Sequence, residues 1–284
     1  MISNLLESCR AKYGKNAICL IPASETDAVR THLGGTPLLP ADFNYPTFTG
    51  EGTDGVKNRP LSFLAQIDCA EIHALDCDAL LPDHGILSFF YEQDSQCWGR
   101  EPADAGCARA YWFEDADALR ETPLPDALAA EYRVPHIPVS LSQTRELPDY
   151  NELSESADIP ELEDTVREGS AFDAYCIARS AIDSPARIKL LGYADIIQSD
   201  MKSCCLKCSD PKYRAIDWGS VTDAFRAEYH AEKAEWILLF QMDSLNWQGD
   251  SLCFADDGRL YFYIRKSDLA KRDFSRIWMV LQCY

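Results

Sequence analysis

The sequence predicts a mainly β fold (β-rich α+β): one globular, roll-like domain built from two duplicated halves, with a few short helices. Three observations point there. An apolar run closed by Gln, one apolar residue and Asp occurs twice, ending in Phe63-Leu64-Ala65-Gln66-Ile67-Asp68 and in Leu238-Leu239-Phe240-Gln241-Met242-Asp243. Each copy keeps the same company. Leu33-Gly34 and Leu191-Gly192 lie upstream, and Asp83-His84-Gly85 and Asp256-Asp257-Gly258 lead into the aromatic runs Ile86–Tyr91 and Arg259–Ile264. Short apolar stretches punctuated by turn residues also outnumber helical patterns, which favours sheet. A repeat of this length, three features in the same order, reads as a duplicated half-domain and not a solenoid. The single domain spans 1–284, with copies at approximately 33–147 and 190–284. Ala108–Phe113 is the matching candidate for Arg276–Leu281.

Each element has its own signal. Residues 1–13 predict a helix, with Ile2, Leu5, Leu6 and Cys9 on one face. Ala17–Ile21 is a short strand. Ser24-x-x-Asp27 resembles a capping box and opens a short helix that Gly34-Gly35 stops. Residues 47–58 hold Gly50, Gly52 and Gly55 and little apolar matter, and read as a loop. Leu61–Asp68 is a strand so continuously apolar that both its faces should be covered. Glu71–Leu80 is a helical turn, Ile86–Tyr91 and Ala108–Phe113 are strands, Asp115–Arg120 and Asp126–Tyr132 are short helical candidates, and His136–Arg145 is a strand. Over 148–168 eight acids stand against one Arg, which marks the junction between the halves; helix can run on through Phe172, Tyr175 and Cys176. Ser220-x-x-Asp223 caps a helix carrying Val221, Phe225 and Tyr229. Glu235–Asp243 is the second apolar strand. Ser251–Ala255 and Arg259–Ile264 flank an Asp-Gly turn and predict a hairpin. Ser275–Gln282 is the last strand.

The series Leu33-Gly34-Gly35-Thr36-Pro37-Leu38-Leu39-Pro40, Phe63-Leu64-Ala65-Gln66-Ile67-Asp68, Leu191-Gly192-Tyr193 and Leu238-Leu239-Phe240-Gln241-Met242-Asp243 resembles the YwqG-like family, a bacterial domain family of unknown function. The resemblance covers the chain from about Leu33 to its end. It implies a mainly β, roll-like, internally duplicated fold, no established activity, and for some members an association with toxin systems. The second copy departs from the pattern at Tyr193 and Ala194, where the second Gly and the Pro are absent.

Composition narrows the function classes. The 284 residues suffice for one large domain. No apolar run approaches the ~18 residues of a membrane helix, and Met1–Glu7 lacks the basic and apolar regions of a signal peptide. Twelve cysteines without such a signal imply free thiols in a reducing, cytoplasmic setting. A net charge of −19 repels nucleic acid and anionic lipid, and suits either solubility or a basic protein partner.

Candidate site residues are Gln66, Asp68, Gln241, Asp243 and Trp247. The two Gln-x-Asp pairs could line a pseudo-symmetric polar pocket. They also suit turn chemistry, in which a strand-end Asp accepts from backbone N–H groups and Gln satisfies a loop. Trp247 is placed in the loop after the second pair, where an aromatic can meet a ligand or partner. Cys205-x-x-Cys208 has the spacing of half a zinc site; Cys176 and His230 are the nearest further ligands, a second C-x-x-C is absent, and no metal or cofactor is expected. His230-Ala231-Glu232 follows the cysteines in the reverse of the zinc-deaminase order, which rejects that reading. Walker A, G-x-S-x-G, G-x-G-x-x-G and H-E-x-x-H motifs are absent. Two readings remain: a non-enzymatic protein-binding module of inhibitor or immunity type, and a small-molecule-binding or hydrolase-like enzyme with its site between the halves.

Overall fold

The computed structural model describes residue 7 and residues 10–52, 55–148 and 188–284. Most of the expected N-terminal helix, the acidic junction from residue 149 onward and the stretch through Cys176 lie outside the described residues. The fold is mainly β. Its centre is a ten-stranded antiparallel sheet that curls into a nearly closed barrel.

The first half contributes β2 (His32–Leu33), β6 (Ser62–Asp68), β7 (Ile86–Tyr91) and β8 (Ala108–Phe113). The second contributes β11 (Lys189–Leu191), β12 (Trp236–Asp243), β15 (Arg259–Arg265) and β16 (Trp278–Gln282). Between them lie β1 (Lys15–Pro22) and β10 (Ile137–Glu146), paired antiparallel from Lys15↔Glu146 to Pro22↔Val139. The order is β16-β15-β12-β11-β1-β10-β2-β6-β7-β8, and outside it β3 (Leu38–Leu39) pairs with β9 (Arg120–Glu121). From either end it reads edge, aromatic strand, Gln-x-Asp strand, short strand, central strand.

The hydrogen-bond registers give the same correspondence residue by residue. His32 faces Gln66 and Lys189 faces Gln241; Asp68 faces Ile86 and Asp243 faces Arg259. Gly85 and Gly258 therefore precede equivalent positions. Each Gln-x-Asp strand carries a bulge at the same repeat position, between Phe63 and Ala65 and between Leu238 and Leu239's successor Phe240.

The registers also move two of the expected matches by one residue. Leu33 faces Ala65 and Leu190 faces Phe240, so Leu33-Gly34-Gly35 corresponds to Leu190-Leu191-Gly192. The first glycine is the one replaced, by Leu191, which keeps the left-handed backbone at φ 61° against 53° at Gly34. The second glycine is Gly192, at φ 72° like Gly35. At the edges, Ile86 faces Phe113 and Arg259 faces Gln282, so Ala108–Phe113 corresponds to 277–282.

Both faces of the apolar strands are covered, as their composition demands. Inward, Phe89 stacks on Phe240 with centroids 4.4 Å apart and meets its own counterpart Phe262 edge-on at 5.3 Å. Outward, the two halves use different material. In the second half the helices Lys202–Ser209 and Asp223–Ala234 place Cys205, Leu206 and Tyr229 over Leu238, Tyr261 and Tyr263. In the first half Phe43, Tyr45 and Phe48 lie over Phe63 and Phe90.

Four local expectations differ. Residues 47–58 are not a loop: β4 (Thr47–Gly52) and β5 (Gly55–Pro60) form a hairpin. Its glycines carry no apolar pattern, and the Arg59 guanidinium holds it by donating to the carbonyls of Gly50, Gly55 and Lys57. Ser24-x-x-Asp27 opens no helix. Thr26 Oγ1 donates to the Val139 carbonyl, and the Glu71 carboxylate accepts the consecutive N–H groups of Val29, Arg30 and Thr31, so long-range partners take the backbone groups a helix would use. The helix at Asp223 is capped by Thr222 and not by Ser220. Asp250–Leu252 (β14) pairs with Leu245–Trp247 (β13), because β15 is already taken by β12 and β16. Among the described residues no helix is long and apolar enough to cross a membrane.

Candidate functional site

The two Gln-x-Asp stations sit at equivalent points of the sheet. Both glutamines are fully buried, so each carboxamide must find its partners inside the protein. Gln66 Oε1 accepts from the Leu38 N–H at 2.8 Å, and its Nε2 donates to the Arg30 carbonyl at 2.8 Å. Gln241 Oε1 accepts from the Asp195 N–H at 2.9 Å, and its Nε2 donates to Asp195 Oδ2 at 2.8 Å. Leu38 and Asp195 each stand three residues beyond the corresponding glycine, Gly35 and Gly192. The same atom of the same side chain therefore fastens the same turn in both halves.

The aspartates diverge. Asp68 caps the short helix Cys69–Ile72 by accepting from the Ala70 N–H, and Arg30 lies 3.6 Å away. Asp243 takes the Arg259 guanidinium in a two-pronged contact, Nε to Oδ1 and Nη2 to Oδ2, the latter at 2.9 Å. Trp247 lies on β13 and not in a loop, and its half-buried ring packs against the main core.

What flanks each glutamine differs more. In the second half, Lys189 occupies the position across from Gln241. It is 1% exposed, and its Nζ donates to Glu146 Oε1 at 2.6 Å and Asp195 Oδ2 at 2.9 Å. Burial would lower the Lys189 pKa, but the two carboxylates outweigh it and hold it above its usual value. Burial would likewise raise Asp195; Lys189 and the Gln241 amide win and hold it low. Glu146 goes the other way: burial raises it, the Asp195 charge adds to that, and its share of Lys189 does not compensate. One ammonium thus serves two buried carboxylates unequally. Glu146 also accepts the Tyr193 N–H at 2.8 Å, and Arg259 and Tyr261 both donate to the Asp195 carbonyl.

In the first half the equivalent of Lys189 is His32, and beside it the fold leaves a cleft of about 360 Å³. Arg30, His32, Leu38, Gln66, Glu121 and His136 contribute to its walls. The His32 and His136 rings are tilted with centroids 4.5 Å apart. His32 Nδ1 lies 2.9 Å from the Gly34 carbonyl, so that nitrogen carries the hydrogen and Nε2 is the basic one. Burial, followed by the charge of His136, lowers its pKa, which keeps the ring neutral at pH 7.

Of the sequence candidates, Gln66 and Asp68 are brought to this region with Arg30 between them, and Gln241 and Asp243 join the Lys189 network. The residues that sequence reasoning missed are His32, His136, Arg30 and Glu121 in the cleft and Lys189, Glu146, Asp195 and Arg259 in the network. One signal was readable: Lys189 is a lone charge inside the apolar run Ile188-Lys189-Leu190-Leu191. Cys205 is fully buried in the second core, and it is Cys204 that faces Cys208. Among the described residues no group of three or more His, Cys, Asp or Glu side chains is arranged to hold a metal.

No curated protein matches the chain. A family model described as Domain of unknown function (DUF1963) matches residues 31–283, which takes in β2 at one end, β16 at the other and both Gln-x-Asp stations between. The chain belongs to the DUF1963 family.

Proposed function

We propose that the protein is a non-enzymatic binding module whose partner is a basic protein, in the manner of an inhibitor or immunity protein of the cytoplasm. The observation that carries this reading is an acidic face on the first half. Asp83, Glu114 and Asp117 have side chains 67%, 74% and 88% exposed; His84 and Arg30 contact their carboxylates, and Arg120 donates to the Asp117 carbonyl. His84 bridges Asp83 at 2.6 Å and Glu114 at 3.8 Å, and the half-buried Trp112 donates its indole N–H to the His84 carbonyl at 2.9 Å. Exposed acids around an aromatic suit a partner presenting Arg and Lys, and the −19 charge of the chain adds long-range steering.

The test is capture of partners from the native host followed by association kinetics. Changing Asp83, Glu114 and Asp117 to the amides is expected to lower the on-rate about tenfold at low salt, with little change in the off-rate. A partner whose on-rate ignores both salt and these changes removes the reading. The same comparison with Glu161, Glu163 and Asp164 asks whether the acidic junction contributes.

A second reading, a small-molecule site, is favoured by the cleft beside Gln66. A neutral His32 offering Nε2, with Arg30 and Glu121 nearby, suits a small ligand carrying both a donor and an acidic group. The imidazole resonances of His32 and His136 should shift together on titration with such a compound. If they stay fixed while the acidic face responds to the protein partner, the cleft is only a gap in the packing.

A further inference from the structure

The first half holds another pocket, which shares no residue with the cleft beside Gln66 or with the acidic face. It opens between the end of β5, the turn that follows β7 and the stretch 127–132, and encloses about 370 Å³. That volume lies at the small end of the range of ligand sites, about 300–1,000 Å³.

The ionic groups at its centre are already matched. Arg59 Nε pairs with Asp94 Oδ2, and Asp94 Oδ1 accepts the Tyr132 hydroxyl at 2.6 Å. Glu92 is 2% exposed, and its carboxylate accepts the Asp94 N–H at 3.2 Å, the Ser95 N–H at 3.0 Å and the Ser95 hydroxyl.

Two neutral groups of the same wall are not matched. Ser62 is 0% and Gln93 7% exposed, and Ser62 Oγ and Gln93 Oε1 have no hydrogen-bond partner among the described residues. The Gln93 carboxamide is held from its other end, where Nε2 donates to the Cys253 carbonyl at 3.1 Å. Its oxygen can therefore only accept, whereas the Ser62 hydroxyl both donates and accepts. Buried polar atoms nearly always find partners, so a pair of exceptions in one pocket wall needs a cause. The strand itself does not ask for a hydroxyl there. Ser62 faces Tyr91 and Ile237 faces Ile264, the same ladder position in the two halves. The second half fills that position with an apolar side chain packed against the main core.

We infer that this pocket binds a small, neutral, polyhydroxylated molecule of the size of a monosaccharide or a cyclic polyol. A hydroxyl is the group that its unmatched atoms accept: it donates to the carboxamide oxygen and exchanges hydrogen bonds with serine. A cationic ligand would find the Asp94 and Glu92 carboxylates already supplied with donors. An anionic one would meet Glu92, Asp94 and Glu131 against Lys57 and Arg59, on a chain whose net charge is −19. Pro60, Leu128 and Tyr132 add apolar surface to the wall, against which the C–H face of a sugar ring packs. The inference stands apart from the basic protein partner, and neither depends on the other.

The probes are glucose, galactose, mannose, N-acetylglucosamine and myo-inositol, titrated into the full-length protein and followed by the Gln93 side-chain amide and Tyr132 ring resonances. Glucuronate and agmatine are the anionic and cationic controls. At least one neutral compound should shift both groups saturably, and the controls should bind about tenfold more weakly or not at all. Ser62→Ala should weaken that binding about tenfold. It should leave thermal unfolding unchanged or raised, because the hydroxyl it removes has no partner to lose. If no neutral compound shifts both groups, the pocket holds water only and the assignment is overturned. Controls that bind as well as the sugars, or Ser62→Ala binding undiminished, would also overturn it. A Ser62→Ala protein of lower stability would do the same, by showing that the hydroxyl serves the strand and not a ligand.

Discussion

The station around Gln66 and the station around Gln241 share a strand, a bulge and a carboxamide that fastens the same turn. They differ in the residue across the ladder. His32 is short and neutral, and leaves a cleft of about 360 Å³; Lys189 is long and charged, and recruits Glu146 and Asp195 to surround its ammonium. A repeated strand arrangement thus carries one open polar station and one sealed by charge. The backbone arrangement is what both copies retain, and the chemistry beside it is free to change.

The largest effect should come from unsealing the second station. Lys189→Met leaves Glu146 and Asp195 buried without their cation, at an expected cost of about 3–5 kcal/mol in denaturant unfolding. Its pH dependence is sharper still. Asp195 is held below its unfolded value, so its contribution is present above about pH 4 and is lost as pH falls through the folded value. Lys189 is held above its unfolded value, so its contribution is present below about pH 10 and is lost as pH rises through the folded one. Glu146, held high, opposes part of the acid loss. Without Lys189, burial and their mutual repulsion push both carboxylates up against only the Gln241 amide and the Arg259 charge at Asp195, and stability should rise as pH falls toward 4. A variant that still loses stability there would show that the ammonium does not govern the station. His32→Ala, at the equivalent place, should show no such inversion.

Next come the bulged positions, where the halves should behave alike. Leu64 and Leu239 are both fully buried in the main core. Each change to Ala should cost about 2–5 kcal/mol. A loss below about 0.5 kcal/mol at either one, as at a surface site, would end the equivalence.

The left-handed pair is a contest between two terms. Leu191→Gly relieves roughly 1–2 kcal/mol of backbone cost at φ 61°. It also empties a core site that is 2% exposed, worth about 2–5 kcal/mol. The packing term is the larger, so a net loss of about 1–3 kcal/mol is expected in thermal or denaturant unfolding. A gain would mean that Leu191 contributes strain and little packing. The reverse change, Gly34→Ala, has no compensation: its Cβ would lie 2.2 Å from the Pro135 carbonyl oxygen and 2.5 Å from that of Val134.

These pairs also show what the sequence makes legible. The mainly β class, the two Gln-x-Asp strands and the aromatic strands are written as apolar runs, and those runs survive because both faces are covered. The exact alignment of Leu33-Gly34-Gly35 was hidden because Leu191 takes a backbone conformation that composition assigns to glycine. The hairpin of residues 47–60 was hidden because its strands carry a single core contact, Phe48, and are otherwise held by the Arg59 guanidinium. The polar stations were half legible. The glutamines announced themselves by repetition, whereas Glu146 on β10, His136 just before that strand and Glu121 on the short strand paired with Leu38–Leu39 come from far along the chain, and only the fold brings them near.

The smallest expected effect distinguishes the two glutamines themselves. Gln66→Leu and Gln241→Leu delete the same two hydrogen bonds on the same frame. At Gln66 the orphaned groups are the Leu38 N–H and the Arg30 carbonyl, both on residues that line an open cleft where water can replace the amide. The cost there should be about 0.5–1.5 kcal/mol. At Gln241 the Asp195 N–H loses its acceptor and the Asp195 carboxylate, still paired with Lys189, loses one donor inside the sealed network; the loss of a donor to a charged group should raise the cost to about 1.5–3 kcal/mol. The Gln241 change should also shift acid unfolding, because the Gln241 amide helps hold Asp195 low. Equal costs and unchanged acid limbs would mean that the two stations are alike in energy as well as in backbone, and that the open cleft has no more water in it than the closed one.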